Sequence, residues 1–190
     1  MKKYIIIILF ILACSSSDDE KNIPEFDGNI AYQYIIEQCD FGPRNPGSTG
    51  HQQFANFLEN YLLKNSEKVI IQDFNYLEHI TGEDRKGKNL VAQFNLEAQE
   101  RLLIGAHWDT RAVADEDPNP DNRSIPILGA NDGASGTAIL MELAKIFSNN
   151  PPPIGIDLVF FDAEDVGISG QPTTYACLLY TSPSPRDTDK

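Results

Sequence analysis

Three segments carry side chains able to move protons or hold a metal. They are Gly105-Ala106-His107-Trp108-Asp109-Thr110-Arg111, Gly129-Ala130-Asn131-Asp132-Gly133-Ala134-Ser135-Gly136 and Phe160-Phe161-Asp162-Ala163-Glu164-Asp165-Val166-Gly167. In the first, His107 and Asp109 are two apart, so at the end of a strand their side chains emerge on the same face. A carboxylate beside an imidazole fixes its tautomer and raises its basicity as a metal ligand, although His-x-Asp alone also serves plain structural ends. In the second, the glycines permit a tight turn from which Asp132 projects at the start of a helix, where it could equally be an N-cap. In the third, consecutive carboxylates follow an apolar strand, a costly arrangement if buried without a cation. With a cation, one carboxylate can ligate while the other moves protons; an exposed acidic loop is the plainer alternative. Taken together, one histidine and several carboxylates at strand ends match the oxygen and nitrogen ligand set of a catalytic zinc.

The flanking patterns supply elements to position these segments. Gly28 to Cys39 carries Ile30, Tyr34, Ile35 and Cys39 at helical spacing, and Phe41 to Gly47 is a Pro/Gly-rich loop. Ser48 or Thr49 is placed as an N-cap for a helix with Phe54, Phe57, Leu58, Tyr61 and Leu62 on one stripe. Alternation over Val69 to Tyr76 and Lys88 to Asn95 predicts half-buried strands. Arg101 to Ala106 is nearly all apolar, as in a strand covered on both faces, and Ile156 to Phe161 reads as another buried strand. Ala134 to Phe147 predicts a helix with Ile139, Leu140, Leu143 and Phe147 on one stripe, stopped by Pro151-Pro152-Pro153. Helices interspersed with apolar strands predict one α/β domain, a three-layer α/β/α sandwich around a mixed sheet. Each chemistry-bearing segment then falls at or just after a strand end, where ligand sites form in such sheets.

The chain has 190 residues, 41% hydrophobic and 23% charged, within the range of a folded domain. Its net charge of −13, with no basic stripe, argues against a nucleic-acid partner. Lys2 and Lys3 precede an apolar run, Tyr4 to Leu12, that is too short to span a bilayer and ends in Ile11-Leu12-Ala13-Cys14. This resembles a bacterial lipoprotein signal, with Cys14 lipidated and Ser15 to Glu20 forming a polar tether. The expected organisation is a signal peptide over 1–13, a lipidated tether over 14–27 and a catalytic domain over 28–176 that is incomplete, with the C-terminal part of the sandwich missing. The expected product is exported and lipid-anchored to the cell envelope, monomeric, and in contact with a membrane only through its anchor. Residues 177–190, ending Tyr-Thr-Ser-Pro-Ser-Pro-Arg-Asp-Thr-Asp-Lys, resemble translated sequencing-adapter read-through and are expected to be non-native.

The segment His107 to Arg111, the turn Gly129 to Gly136 and the run Phe161 to Gly167 resemble the successive metal-site motifs of the co-catalytic zinc exopeptidases. The Asp/Pro-rich insert before Pro126-Ile127-Leu128-Gly129 is similar to the bacterial glutaminyl cyclase branch of that superfamily, and Gly42 to Ser48 with the following His51 is similar to its N-terminal signature. The resemblance implies that Asp132 and Asp165 bind zinc, that Glu164 is the general acid/base and that Asp109 orients His107. It implies that His107 ligates a second metal only in a two-zinc enzyme. The implied activity is conversion of the N-terminal glutamine of peptides or proteins to pyroglutamate with release of ammonia, using one Zn2+. The alternative is an aminopeptidase using two. The remaining ligand implied is a histidine near the C-terminus. The histidines here are His51, expected to pack or cap near a helix start, His79, expected on a polar loop, and His107. With two carboxylates and water as its ligands, zinc is held loosely. The 190-residue chain is therefore predicted to bind zinc weakly and to be inactive; tight stoichiometric binding in equilibrium dialysis would contradict this.

Overall fold

The computed structural model describes residues 23–79, 81–168 and 170–176. The signal, Cys14, most of the tether and the 177–190 tail lie outside the described residues. Helices α1 (Gly28–Asp40) and α2 (Thr49–Lys64) precede a hairpin of β1 (Lys68–Glu78) and β2 (Glu83–Phe94). Strand β3 (Arg101–His107), helix α3 (Ala134–Asn149) and strand β4 (Gly155–Phe161) follow. Among the described residues no helix is long and apolar enough to cross a membrane.

Strand order is β1-β2-β4-β3. The β1–β2 and β2–β4 pairs are antiparallel and β3–β4 is parallel, which makes the sheet mixed, as the alternating patterns predict. Register aligns Leu90 with Phe160, Ala92 with Leu158 and Phe94 with Ile156, so these side chains share one face. That face packs on Phe54, Leu58 and Leu62 of α2 and on Leu140, Met141 and Ala144 of α3 in a single core cluster. Ser48 caps α2, accepting from the His51 amide at 3.1 Å. Helix α1 lies on α3, where buried Gln38 donates to the Ala134 carbonyl at 2.9 Å.

Several details depart from the sequence reading. Ile30 and Ile139 are exposed and leave the stripes read for α1 and α3, whereas Leu140, Leu143 and Phe147 of the α3 stripe pack in or on the core. The inward face of α3 is made of small side chains, Ala134, Ala138 and Ala144 with Leu140 and Met141, and Gly136 lies where a Cβ would come within 2.8 Å of the Ala106 methyl. β2 begins at Glu83 rather than Lys88, because pairing with β1 carries it through the polar Glu83-Asp84-Arg85-Lys86. Double coverage of β3 is not met among the described residues: it is the outermost strand, and Leu102 and Leu103 are 50% and 61% exposed. The described helices share one core on one face of the sheet, and the α/β class with a mixed sheet is as expected. The opposite face carries a smaller cluster in which Ala163, Val166 and Ala176 pack with Phe74 and Tyr76 of β1.

Candidate active site

The parallel register His107↔Phe161 brings the chemistry of β3 and β4 to the same sheet end. Beyond β3 the chain is pinned from two sides. Thr137 of α3 donates to the His107 carbonyl at 2.8 Å, and the Trp108 amide donates to the Phe161 carbonyl at 2.9 Å. Arg44 is completely buried and donates to the carbonyls of Gln38, Trp108, Leu128 and Gly129 at 3.1 to 3.2 Å. One guanidinium thereby ties the Pro/Gly loop to both the His107 and the Asp132 segments, and its fork of fixed donors suits that task.

Asp132 is not the cap of α3; Gly133 occupies that position, with φ +86°, and makes no side-chain cap. A Cβ there would lie 2.5 Å from the Asp109 carbonyl, so the turn needs glycine both for its left-handed backbone and for this approach. The turn delivers Asp132 Oδ1 to 2.9 Å from His107 Nε2. His107 Nδ1 lies 3.5 Å from Asp109 Oδ1, within ion-pair range but outside hydrogen-bond geometry. Burial opposes protonation of His107. Contact with Asp109, followed by the charges of Glu164 and Asp132, outweighs it and raises the pKa to about 9.

Asp109, fully buried, accepts the backbone amides of Glu164 and Asp165 at 3.1 and 3.0 Å. The segment after β4 thus hangs on a carboxylate from the segment after β3. The kink is made at Ala163, buried and left-handed at φ 58° although it carries a Cβ. Glu164 and Asp165 follow it. Burial is the main cause raising the Glu164 carboxyl above the usual range, with Asp109 and Asp132 adding to it. Burial likewise lifts Asp165 to about 7, again with Asp109 and Asp132 adding to it and Arg111 opposing. Arg111 pairs with Asp115 and approaches Asp165 Oδ1 at 3.4 Å, while it donates to the Gly167 carbonyl at 2.9 Å.

The structure therefore joins His107, Asp109 and Asp132 directly, and joins Glu164 and Asp165 to them through Asp109. Among the described residues it does not gather three His, Cys, Asp or Glu side chains closely enough to hold a metal ion. The donor set nevertheless fits a cation: Asp165 Oδ2 is buried without a hydrogen-bond partner. Glu164 and Asp165 are raised by burial and by the charges of Asp109 and Asp132, which is the repulsion a bound cation removes. His79 is exposed, as expected of a polar loop, and Trp108 is fully buried in the core. Sequence reasoning missed the roles of Arg44, Arg111 and Asp162. Each is a charged residue with no periodic signal, identifiable only by the partners that folding supplies.

Against known proteins, the model for peptidase family M28 matches residues 89–176, the stretch containing all three segments. The chain is similar in structure to Tannerella forsythia glutaminyl cyclase, with 41% identity and a TM-score of 0.77, over 81% of this chain and 54% of that one. It is similar to Bacteroides thetaiotaomicron glutaminyl cyclase bound to N-acetylhistamine, with 37% identity and a TM-score of 0.78, over 82% and 55% of the two chains. It is similar as well to a Zn-dependent exopeptidase from Parabacteroides distasonis, with 34% identity and a TM-score of 0.77, over 82% and 55%. The resemblance carried by the motifs holds, in sequence and in fold. The chain spans about half the length of these solved structures and 40% or less of the curated relatives it matches.

The raised values set the pH dependence of the metal-free protein. Asp165 ionises near 3.8 when unfolded and about 7 when folded, so the native state binds the extra proton between these values and stability falls as pH rises through them. His107 moves from 6.5 to about 9, so its contribution is complete below 6.5 and lost by about 9. Urea denaturation with a chelator present should show stability declining in both windows. Asp165→Asn should flatten the lower and His107→Gln the upper; stability rising with pH across either window would contradict the assignment.

Proposed function

We propose that the full-length protein is a zinc-dependent glutaminyl-peptide cyclotransferase, acting on peptides or proteins with an N-terminal glutamine. The observation that carries this reading is Glu164, a carboxyl raised by burial and set beside Asp165, His107 and Asp132 at the shared strand end. A carboxyl raised in this way holds a proton more readily than a free one, as a group that accepts and then returns a proton must. The similarity to solved glutaminyl cyclases at 41% and 37% identity supports cyclisation as the chemistry.

In this reading Asp132 and Asp165 are the carboxylate ligands, and zinc, when bound, supplies Lewis-acid polarisation of the substrate's γ-carboxamide carbonyl. Glu164 accepts a proton from the substrate α-amine as that nitrogen forms a bond to the γ-carboxamide carbon. It returns the proton to the amide nitrogen as the old carbon–nitrogen bond breaks, so pyroglutamate and ammonia leave. Asp109 holds the Glu164 and Asp165 amides and keeps His107 turned towards Asp132. His107 is then a neighbour of the metal site rather than a ligand.

A two-metal aminopeptidase is the second reading. It is favoured by the 2.9 Å approach of His107 Nε2 to Asp132, which would let both serve another metal, and by the likeness to a Zn-dependent exopeptidase. In it, Glu164 takes a proton from water, and the N-terminal residue is released. The two are separated by mass spectrometry of a Gln-initiated peptide incubated with the full-length protein. Loss of one ammonia, abolished by a chelator and reduced by about 10²- to 10⁴-fold in Glu164→Gln, is expected. Loss of the whole N-terminal residue would overturn cyclisation, and unchanged turnover by Glu164→Gln would overturn the role of Glu164.

A further inference from the structure

Beneath the site lies a second polar cluster. His51, on the first turn of α2, is buried and stacked on Trp108 with ring centroids 4.5 Å apart. Its Nε2 lies 2.9 and 3.0 Å from the two oxygens of Asp162, 111 residues away in sequence. Asp162 is completely buried. Its Oδ2 accepts the Lys88 amide at 2.8 Å, its Oδ1 accepts the Ala163 amide at 2.8 Å, and its own amide donates to Asn89 Oδ1 at 2.8 Å. Asn89 is held in turn by Gln72 at 3.0 Å, and Trp108 Nε1 donates to the Lys88 carbonyl at 3.3 Å.

These contacts converge on Ala163, the left-handed residue that turns the chain into Glu164. A conformation that disfavours a Cβ persists only when its surroundings over-determine it. Here the amide before the kinked residue's φ bond is fixed by Asp162, and the two amides after it are fixed by Asp109. Of the two carboxylates, Asp109 belongs to the site itself. Asp162 has no access to solvent, and the side chain opposite both its oxygens is that of His51. Its hold on Ala163 therefore depends on a residue from another layer of the fold.

We propose that His51 is a positioning residue: through Asp162 it sets the Ala163 turn and hence the placement of Glu164. This rests on the reading of Glu164 as the proton carrier, but the placement itself is measurable without turnover. The stack on Trp108 fixes the ring plane, so that one nitrogen faces both Asp162 oxygens. The same stack joins the segments following β3 and β4, since Trp108 precedes Asp109 and Asp162 precedes Ala163.

The test uses the full-length protein with His51→Ala, His51→Gln and Asp162→Asn, measuring kinetics together with amide hydrogen exchange. For His51→Ala, exchange at Ala163, Glu164 and Asp165 should rise at least about tenfold while α3 and residues 90–94 of β2, which make no hydrogen bond to Asp162, keep wild-type rates, because the disturbance is local. Turnover should fall about a hundredfold with KM nearly unchanged, the effect expected of a catalytic group misplaced by about 1 Å. His51→Gln, which keeps a donor, should recover part of both losses, and Asp162→Asn should match His51→Ala without adding to it in the double variant. Unchanged exchange at 163–165, or exchange raised equally throughout the core, would overturn the proposal. If His51→Ala fails to fold, the exchange pattern of His51→Gln and Asp162→Asn decides it on the same criterion. A wild-type protein that does not cyclise Gln-peptides would overturn the functional reading alone, leaving the exchange measurement to decide the positioning role.

Discussion

The parallel pairing of β3 with β4 is the constraint from which the site follows. Antiparallel neighbours deliver their chain ends to opposite edges of a sheet, whereas parallel neighbours deliver them to the same edge. Here that edge receives His107 and Asp109 from one strand and Asp162, Glu164 and Asp165 from the other. The crossover between the strands runs through α3, whose start sets Asp132 against His107. Negative charge is thus concentrated where the local structure also buries it. A fold that accumulates buried carboxylates must offset the repulsion, by protonation or by a cation. Raised carboxyls and unpartnered Asp165 Oδ2 are the signs of that demand in the metal-free chain.

Buried polar residues hold this arrangement, each tying together segments distant in sequence. Arg44 binds carbonyls on both site loops, Asp109 binds the amides that follow the kink, and Asp162 binds those on its other side. Because each is satisfied by several partners, removing any one leaves others unpaired in a dry environment, where an orphaned group costs about 1–3 kcal/mol. The hydrophobic core supplies the general stability of the domain. These polar ties give the strand ends a single geometry.

Much of this was legible in the sequence where a period or a turn residue carries the information. The stripe of Phe54, Leu58 and Leu62 and the Ser48 cap gave α2, and the apolar run Ile156 to Phe161 gave the central strand. The motif segments were legible too, because the three together are far more specific than any one of them alone. What the sequence hid depends on partners. Gln38 is buried because it meets two carbonyls, and Ile30 and Ile139 face outward because small residues such as Gly136 and Ala138 form the contact surfaces. The polar start of β2 is a strand only because β1 pairs with it. Leu102 and Leu103 read as doubly covered from composition, yet no described element covers them. His51 follows the N-terminal signature and was expected to pack near a helix start, but its partner, the Asp162 carboxylate, shows only in the fold.

The central claim is that the carboxylates at the shared strand end form a metal site beside a separate proton-carrying group. Zinc content of the purified full-length protein, measured by elemental mass spectrometry after dialysis, tests it most directly. Stoichiometric zinc in the wild type and in Glu164→Gln, with loss in Asp132→Asn and in Asp165→Asn, is the predicted pattern. Zinc retained at the wild-type level by both aspartate variants would contradict the account.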